Sequence, residues 1–295
     1  MNHELKIYRR LTKAARRGDC EALALLFAKG ALIDGRGPAY DAPLAHAAEC
    51  GRADTVSLLI ERGAGINRTD RWGDTALMKA ARNGHLGVVR FLLNAGADHR
   101  PRNYRRETAL VIAARGKYNA ICVALMDSGA EIDASSNASP SALLPAISGN
   151  NWELVEILLE RGADPNRKDG AWHSPLAFAR TVEMARRLVT AGANPDTVNK
   201  YGRSPLMSAS AKGDLALARL LLASGAPVNR RTNMGTALHW AAYSGKAQLC
   251  KLLMAWGATV DALDADGRRP VSYAESHGHS DIVRMLETAA RKKAK

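Results

Sequence analysis

The sequence predicts an all-α fold, a solenoid of stacked helix-turn-helix units joined by protruding, hairpin-like loops. Three observations predict it. Gly-Ala pairs begin at Gly30, Gly63, Gly96, Gly129, Gly162, Gly192, Gly225 and Gly257, so the spacing is 33 residues four times, then 30, 33 and 32. Self-similarity at that period marks one supersecondary unit repeated along the chain. Apolar residues make up 46% of the 295 residues but aromatic ones only 5%, which suits thin helix-on-helix packing better than a thick sheet core. Each period also holds two short helical patterns separated by a glycine-containing break. Such units touch mainly their neighbours, so residues 1–295 read as one elongated array and not as separate globular domains.

The clearest copy runs from Trp72 to Asp98. Thr75 is placed as an N-cap, its hydroxyl bonding a free backbone N–H. Ala76 to Asn83 forms a short first helix, which Asn83-Gly84-His85 breaks. Leu86 to Asn94 forms a second, with Val88, Val89, Phe91, Leu92 and Leu93 on its apolar side. Gly96 ends it, because glycine tolerates the positive φ of a helix C-cap. The polar stretch from Asp98 to Glu107 leaves room for an extended excursion with a tight turn. This frame divides the chain into units at about 5–33, 34–66, 67–99, 100–132, 133–165, 166–195, 196–228, 229–260 and 261–290, followed by a basic tail at 291–295. The first and last units read as caps, since an uncapped stack exposes its core. Leu5-Lys6-Ile7-Tyr8-Arg9-Arg10-Leu11 supplies a helix with a charged outer side for the first cap.

Two places depart from the pattern. Ser174 to Gly192 spans 18 residues where Thr75 to Gly96 spans 21. The shortening is assigned to the inner turn, where Ala179-Arg180-Thr181-Val182-Glu183 replaces the usual glycine-histidine break. The preceding unit carries Pro145 inside its first helix, a substitution that can cost ~3 kcal/mol in a helix interior and less in the first turn. Its loop at 134–140 is small and uncharged. The fifth and sixth units therefore read as an irregular seam.

The pattern G-x-T-P-L-H-x-A-A, then G-H, then V-V-x-L-L-L-x-x-G-A-D resembles the ankyrin repeat. The first-helix signature recurs at Ala42-Pro43-Leu44, Thr75-Ala76-Leu77, Thr108-Ala109-Leu110, Ser141-Ala142-Leu143, Ser174-Pro175-Leu176, Ser204-Pro205-Leu206, Thr236-Ala237-Leu238 and Arg269-Pro270-Val271. The resemblance covers residues 8 to 290. It implies a scaffold whose partners bind the loop tips and the exposed side of the first helices. It also implies that His239 and Thr236 bond between repeats, and that His85 and His279 belong to inner turns. Most other units replace that first-helix histidine, so apolar packing is expected there.

The net charge is +13, with a pI near 9.9. Such a surface attracts acidic proteins, nucleic acid or anionic membrane. The charge is spread along the repeats, and the run Arg291-Lys292-Lys293-Ala294-Lys295 reads as a solvated terminus. No segment reaches the roughly 18 apolar residues of a membrane span, and no signal peptide is recognisable. A soluble, cytoplasmic monomer is expected. Of the four cysteines, Cys20, Cys50, Cys122 and Cys250, none forms a CxxC pair, and Cys122 and Cys250 fall at apolar helix positions. Buried thiols in a reducing compartment follow. No hydrolase, zinc-protease, phosphate-loop or dinucleotide motif is present. No catalytic residue, cofactor or metal is expected, and His277 and His279 lack further ligands at metal spacing.

Recognition is the remaining reading. Tip positions combine aromatic and basic residues at Tyr40, Arg71-Trp72, Arg102, Tyr104-Arg105-Arg106, Lys168 with Trp172, Lys200-Tyr201 with Arg203, and Arg230-Arg231. On the first helices, Lys79 pairs with Arg82, Ile112 with Arg115 and Trp240 with Tyr243, each one turn apart. Phe178 and Tyr273 occupy positions equivalent to Trp240. Tryptophan, tyrosine and arginine are the residues most enriched at binding hot spots. The candidate partner-binding set is therefore Arg71, Trp72, Lys79, Arg82, Tyr104, Arg105, Arg115, Trp172, Tyr201, Arg203, Trp240 and Tyr243, facing a protein with acidic surface. The bland alternative is that these rings lie flat against neighbouring loops. Single-stranded nucleic acid is the second reading, because bases stack on aromatic rings beside cations. Asp70, Asp74, Glu107, Asp169, Asp264 and Asp266 count against it by interrupting the basic tips. A cage for methylated lysine from Trp240, Tyr243 and Tyr273 is a weaker third, with Glu275 the nearest acid.

Overall fold

The computed structural model describes residues 3–34, 42–133, 141–168 and 174–293. The described residues hold 18 α-helices and, apart from them, only isolated β-bridges such as Thr69 with Thr75. The chain divides into two compact units, Met1–Ala163 and Asp164–Lys295.

In the first unit the helices come in five pairs. These are α1 (His3–Arg17) with α2 (Cys20–Ala28), α3 (Pro43–Glu49) with α4 (Ala53–Glu61), and α5 (Ala76–Arg82) with α6 (Leu86–Asn94). They continue as α7 (Ala109–Arg115) with α8 (Asn119–Asp127), and α9 (Leu143–Ser148) with α10 (Trp152–Glu160). First helices pack on first helices, and α2, α4, α6 and α8 form a second row. The second unit repeats the arrangement. Its pairs are α11 (Pro175–Phe178) with α12 (Val182–Thr190), α13 (Pro205–Lys212) with α14 (Leu215–Ala223), α15 (Ala237–Tyr243) with α16 (Ala247–Ala255), and α17 (Pro270–Ser276) with α18 (Ser280–Lys293).

The local chemistry of the third pair explains the rest. Thr75 adopts an extended backbone and its Oγ1 accepts from the Met78 amide at 3.2 Å, supplying a partner that the helix start lacks. Thr108 and Ser204 do the same for Val111 and Met207. Ala80 and Ala81 are sealed, so α5 can lie close to its neighbours, while Val88, Val89 and Leu92 form the buried face of α6. Gly96 then takes φ +86°, which lets the Ala97 amide return to the Leu92 carbonyl at 2.9 Å. Leu221 has the matching place in α14 and is fully buried.

The irregular stretch differs from expectation in a specific way. The three-residue connection 83–85 between α5 and α6 has a three-residue counterpart at 179–181. The shortening falls on the helix: α11 has four residues where α5 has seven. Pro145 is accommodated by delaying the helix start. With Ser141 as cap, residue 145 would have to donate the first intrahelical hydrogen bond, and proline has no N–H. Ala142 takes the cap position instead, and the Ala146 amide makes that bond to the Ala142 carbonyl at 3.3 Å. The consequence is that the buried Ser141 hydroxyl has no hydrogen-bond partner.

Candidate functional site

Four of the described loop tips are built on one device. In each of these five-residue tips the first side chain is Asp or Asn, and its Oδ1 accepts two backbone amides. Asp70 accepts from Trp72 and Asp74 at 2.8 and 2.9 Å, and Asn103 from Arg105 and Glu107 at 3.0 Å each. Asn199 accepts from Tyr201 and Arg203, and Asp264 from Asp266 and Arg268. The turn is thus fixed from inside, and its middle residues point outward at little entropic cost on binding. The fourth residue needs a left-handed backbone. Glycine fills it at Gly73, Gly202 and Gly267, but Arg106 fills it in the fourth repeat at φ +59°.

In the first unit two tips are joined, because the Tyr104 amide donates to the Trp72 carbonyl at 2.9 Å. Trp72 is 49% exposed and Tyr104 78%. The Arg71 guanidinium lies 4.0 Å from the centre of the Trp72 ring. Arg105 is exposed beside them. These four fit the sequence expectation of an open basic-aromatic tip.

The first-helix cations do not fit it as well. Lys79 is only 5% exposed, and its Nζ lies 3.0 Å from the buried Asp70 Oδ2. It is an internal ion-pair partner, because its helix position faces the base of the tip. Arg82 grips Asp74 through both carboxylate oxygens at 2.5 and 2.9 Å, and Asn103 Nδ2 donates to the same acid at 3.0 Å. Burial raises the Asp74 pKa, but the hydrogen bonds from Arg82 and Asn103 outweigh it and the net shift is downward. The Asp74 hydrogen bond likewise raises the Arg82 pKa against its own burial. Arg115 forms the equivalent pair with Glu107 in the next repeat. Arg82 and Arg115 remain partly exposed, but their charges are matched within the fold.

Four of the acids counted as tip charges are therefore internal. Asp70, Asp74, Glu107 and Asp264 are all buried, whereas the Asp266 side chain is 69% exposed. Asn103 and Asp70 are the functional-support residues that sequence reasoning missed. Their signal was available: an Asp or Asn recurs five positions before the Thr or Ser helix cap.

In the second unit Tyr201 is 74% exposed, with the Lys200 ammonium 5.0 Å from its ring centre. Arg203 lies across Trp240, its guanidinium carbon 4.3 Å from the ring centre. Trp240, Tyr243 and Tyr273 come together as edge-to-face pairs at 6.5 and 6.3 Å, and His277 packs on Tyr243 at 4.3 Å. The Tyr273 hydroxyl donates to Asp264 at 2.5 Å, and Arg268 sits 5.1 Å from the Tyr273 ring centre. The chain's own cations therefore cover faces of Trp240 and Tyr273, where a methyl-lysine cage would need open rings. Burial raises the Asp264 pKa, but Tyr273, two backbone amides and Arg268 bring it down to about 2. Tyr273 is pushed up to about 12 by burial and by that same carboxylate.

Three histidines bond between repeats. His239 Nδ1 accepts from the Thr236 amide at 3.0 Å, leaving Nε2–H for the Arg268 carbonyl of the next repeat at 3.2 Å. Burial holds its pKa below the usual imidazole range. His85 and His279 reach the carbonyls of Glu49 and Tyr243, the last residues of the preceding first helices α3 and α15. A side chain at Gly51 would meet His85 at 2.6 Å, which explains the glycine there. Cys122 and Cys250 are buried and free, with thiols pushed up to about 12 by burial, so neither supplies a thiolate. Tyr40, Asp169, Trp172 and the loop at 134–140 lie outside the described residues. No helix among the described residues is long and apolar enough to cross a membrane.

Comparison with known families settles what the paired helices and Asp/Asn-anchored tips belong to. A family model of ankyrin repeats (3 copies) matches residues 11–103, 96–169 and 228–295, and one of ankyrin repeats (many copies) matches residues 176–222. The chain is an ankyrin-repeat protein. This ankyrin-repeat chain is 40% identical over 110 residues to cyclin-dependent kinase 4 inhibitor B of Rattus norvegicus, a match covering 37% of this chain and 84% of that protein. It is 38% identical over 121 residues to cyclin-dependent kinase inhibitor 2A of Homo sapiens, covering 40% of this chain and 77% of that protein. A third ankyrin-repeat match, 38% over 111 residues, is to the putative E3 ubiquitin-protein ligase XBAT34 of Arabidopsis thaliana, covering 36% of this chain and 30% of that protein.

Proposed function

We propose that the protein is a non-enzymatic binding scaffold that takes a protein partner with acidic surface across its loop tips and first-helix faces. The observation that carries this reading is the tip built from Arg71, Trp72, Tyr104 and Arg105. Large rings and cations stand exposed on turns whose backbone is held from below. Rigid aromatic anchors with adjacent guanidinium groups are what a hot spot needs. The relatives named as inhibitors of cyclin-dependent kinases act on a protein, which supports protein as the partner class. The overall charge of +13 supports an acidic one.

The set that carries binding is narrower than the sequence reading. Trp72, Tyr104, Tyr201, Arg71, Arg105 and Arg203 form the contact surface, while Lys79, Arg82 and Arg115 hold the tips in shape. The test is affinity capture with wild type against a Trp72→Ala/Tyr104→Ala double variant. Loss of specific capture with unchanged thermal unfolding is expected. A variant that unfolds would make the rings structural, and one that captures the same proteins would remove this tip from the site.

Single-stranded nucleic acid is the second reading. One observation favours it: the tips expose fewer acids than the sequence suggests, since Asp70, Asp74, Glu107 and Asp264 are buried. The same acids, however, neutralise Lys79, Arg82 and Arg115, which lowers the cation density in step.

A further inference from the structure

Arg203 is placed unlike Arg230 and Arg268, two other arginines of the second unit's tips. Arg230 is paired with Asp196, and Arg268 with Asp264 and Asp266. No ion pair among the described residues involves Arg203. Its guanidinium is half-buried against the Trp240 ring at 4.3 Å. Two donors at this contact, Arg203 Nε and Trp240 Nε1, are buried without a hydrogen-bond partner. Burial holds the Arg203 pKa below the usual arginine range, with no acid offsetting it.

A half-buried cation without a counter-charge is costly, and buried donors without acceptors add to the cost. Packing alone does not require it, since a linear apolar side chain would cover the indole as well. What arginine adds is a planar fork that matches a carboxylate through two parallel hydrogen bonds. Stacking on Trp240 holds that fork in one orientation before any ligand arrives, which reduces the ordering lost on binding. The tip reinforces this, because the Arg203 amide is anchored to Asn199 Oδ1 at 3.0 Å. Tyr201 stands exposed on the same turn.

We propose that Arg203, stacked on Trp240, is the receptor for an aspartate or glutamate side chain of the protein partner. This rests on the acidic-partner reading and locates one carboxylate contact within it. The partner's carboxylate supplies the counter-charge that the fold gives Arg82 and Arg115 but withholds from Arg203.

The experiment uses the full chain and a fluorescent glutamate-rich peptide, with its glutamine counterpart as control. Affinities are read by anisotropy for wild type, Arg203→Met and Arg203→Lys, alongside thermal unfolding. Wild type should bind the glutamate peptide and not the glutamine one. Arg203→Met should lose at least about tenfold in affinity, as expected when one side of a close charge pair is removed. Its melting temperature should stay level or rise, because an unpaired charge has left a half-buried site. Arg203→Lys should lose most of the affinity too, since the ammonium lacks the planar fork. Full affinity in Arg203→Met overturns the proposal while leaving the acidic-partner reading intact. A marked fall in melting temperature overturns it as well, by making Arg203 structural. Failure of wild type to distinguish the two peptides overturns both.

Discussion

The Asp70 and Asn103 tips of the first compact unit and the Asn199 tip of the second use the same turn but set particular cations beside it differently. In the first, Lys79, Arg82 and Arg115 each meet a buried acid, so positive charge becomes part of the scaffold. In the second, Arg203 rests on an aromatic ring with no acid beside it. An identical loop geometry can therefore carry a cation that holds the fold or a cation that waits for a partner. The type of neighbour decides which, and residue type alone does not.

Both settings depend on the helical frame beneath the tips. Leu221→Ala in α14 removes a fully buried side chain and should cost about 2–5 kcal/mol by chemical denaturation. An unchanged midpoint would mean that the second unit is not packed as described, and that Arg203 has no fixed setting. Next comes the scaffold cation. Asp74→Ala leaves Arg82 without its acceptor and Asn103 Nδ2 with Glu107 alone, and should cost about 2–3 kcal/mol. Equal stability would erase the distinction between the two tips.

Acid titration sharpens the contrast within the second unit. The folded Asp264 pKa of about 2 lies below its ordinary 3.8, so its stabilisation is present above 3.8 and is lost as pH falls toward about 2. Asp264→Asn should flatten the fall in melting temperature across that window. A variant with the same acid limb as wild type would show that other carboxylates govern it.

The smallest expected effect concerns Arg106. A non-glycine residue in the left-handed region is strained, whereas the corresponding tips use Gly73, Gly202 and Gly267. Arg106→Gly relieves that strain but makes the unfolded chain more flexible, so a net gain of up to ~1 kcal/mol is expected. Destabilisation would mean that the arginine side chain stabilises its tip by more than the backbone strain costs.

The repeat and its helix pairs were legible because the same Thr or Ser cap, paired alanines and Gly-Ala stop recur at nearly constant spacing. The exposed rings Trp72, Tyr104 and Tyr201 were legible because large aromatics on a polar turn have no core to enter. Lys79 was not, because helical periodicity gives its face but not the carboxylate of Asp70 beneath the turn. The shortened repeat was misplaced for a related reason. Residue counting detects three missing positions, but only hydrogen bonding tells that α11 ends early and that the connection at 179–181 keeps its length. Pro145 was visible, whereas the shift of the cap from Ser141 to Ala142 follows only from which amide must donate first.

If exposed tip cations and rings select an acidic protein surface, binding must depend on both the partner's carboxylates and the tip rings. The most direct test is parallel titration of the full chain with a glutamate-rich peptide and a single-stranded oligonucleotide, at about 50 and 200 mM salt. Peptide binding should persist at the higher salt and weaken in Trp72→Ala/Tyr104→Ala. Oligonucleotide binding that is tighter than peptide binding at both salts, and is lost in the same double variant, would contradict selection of an acidic protein surface.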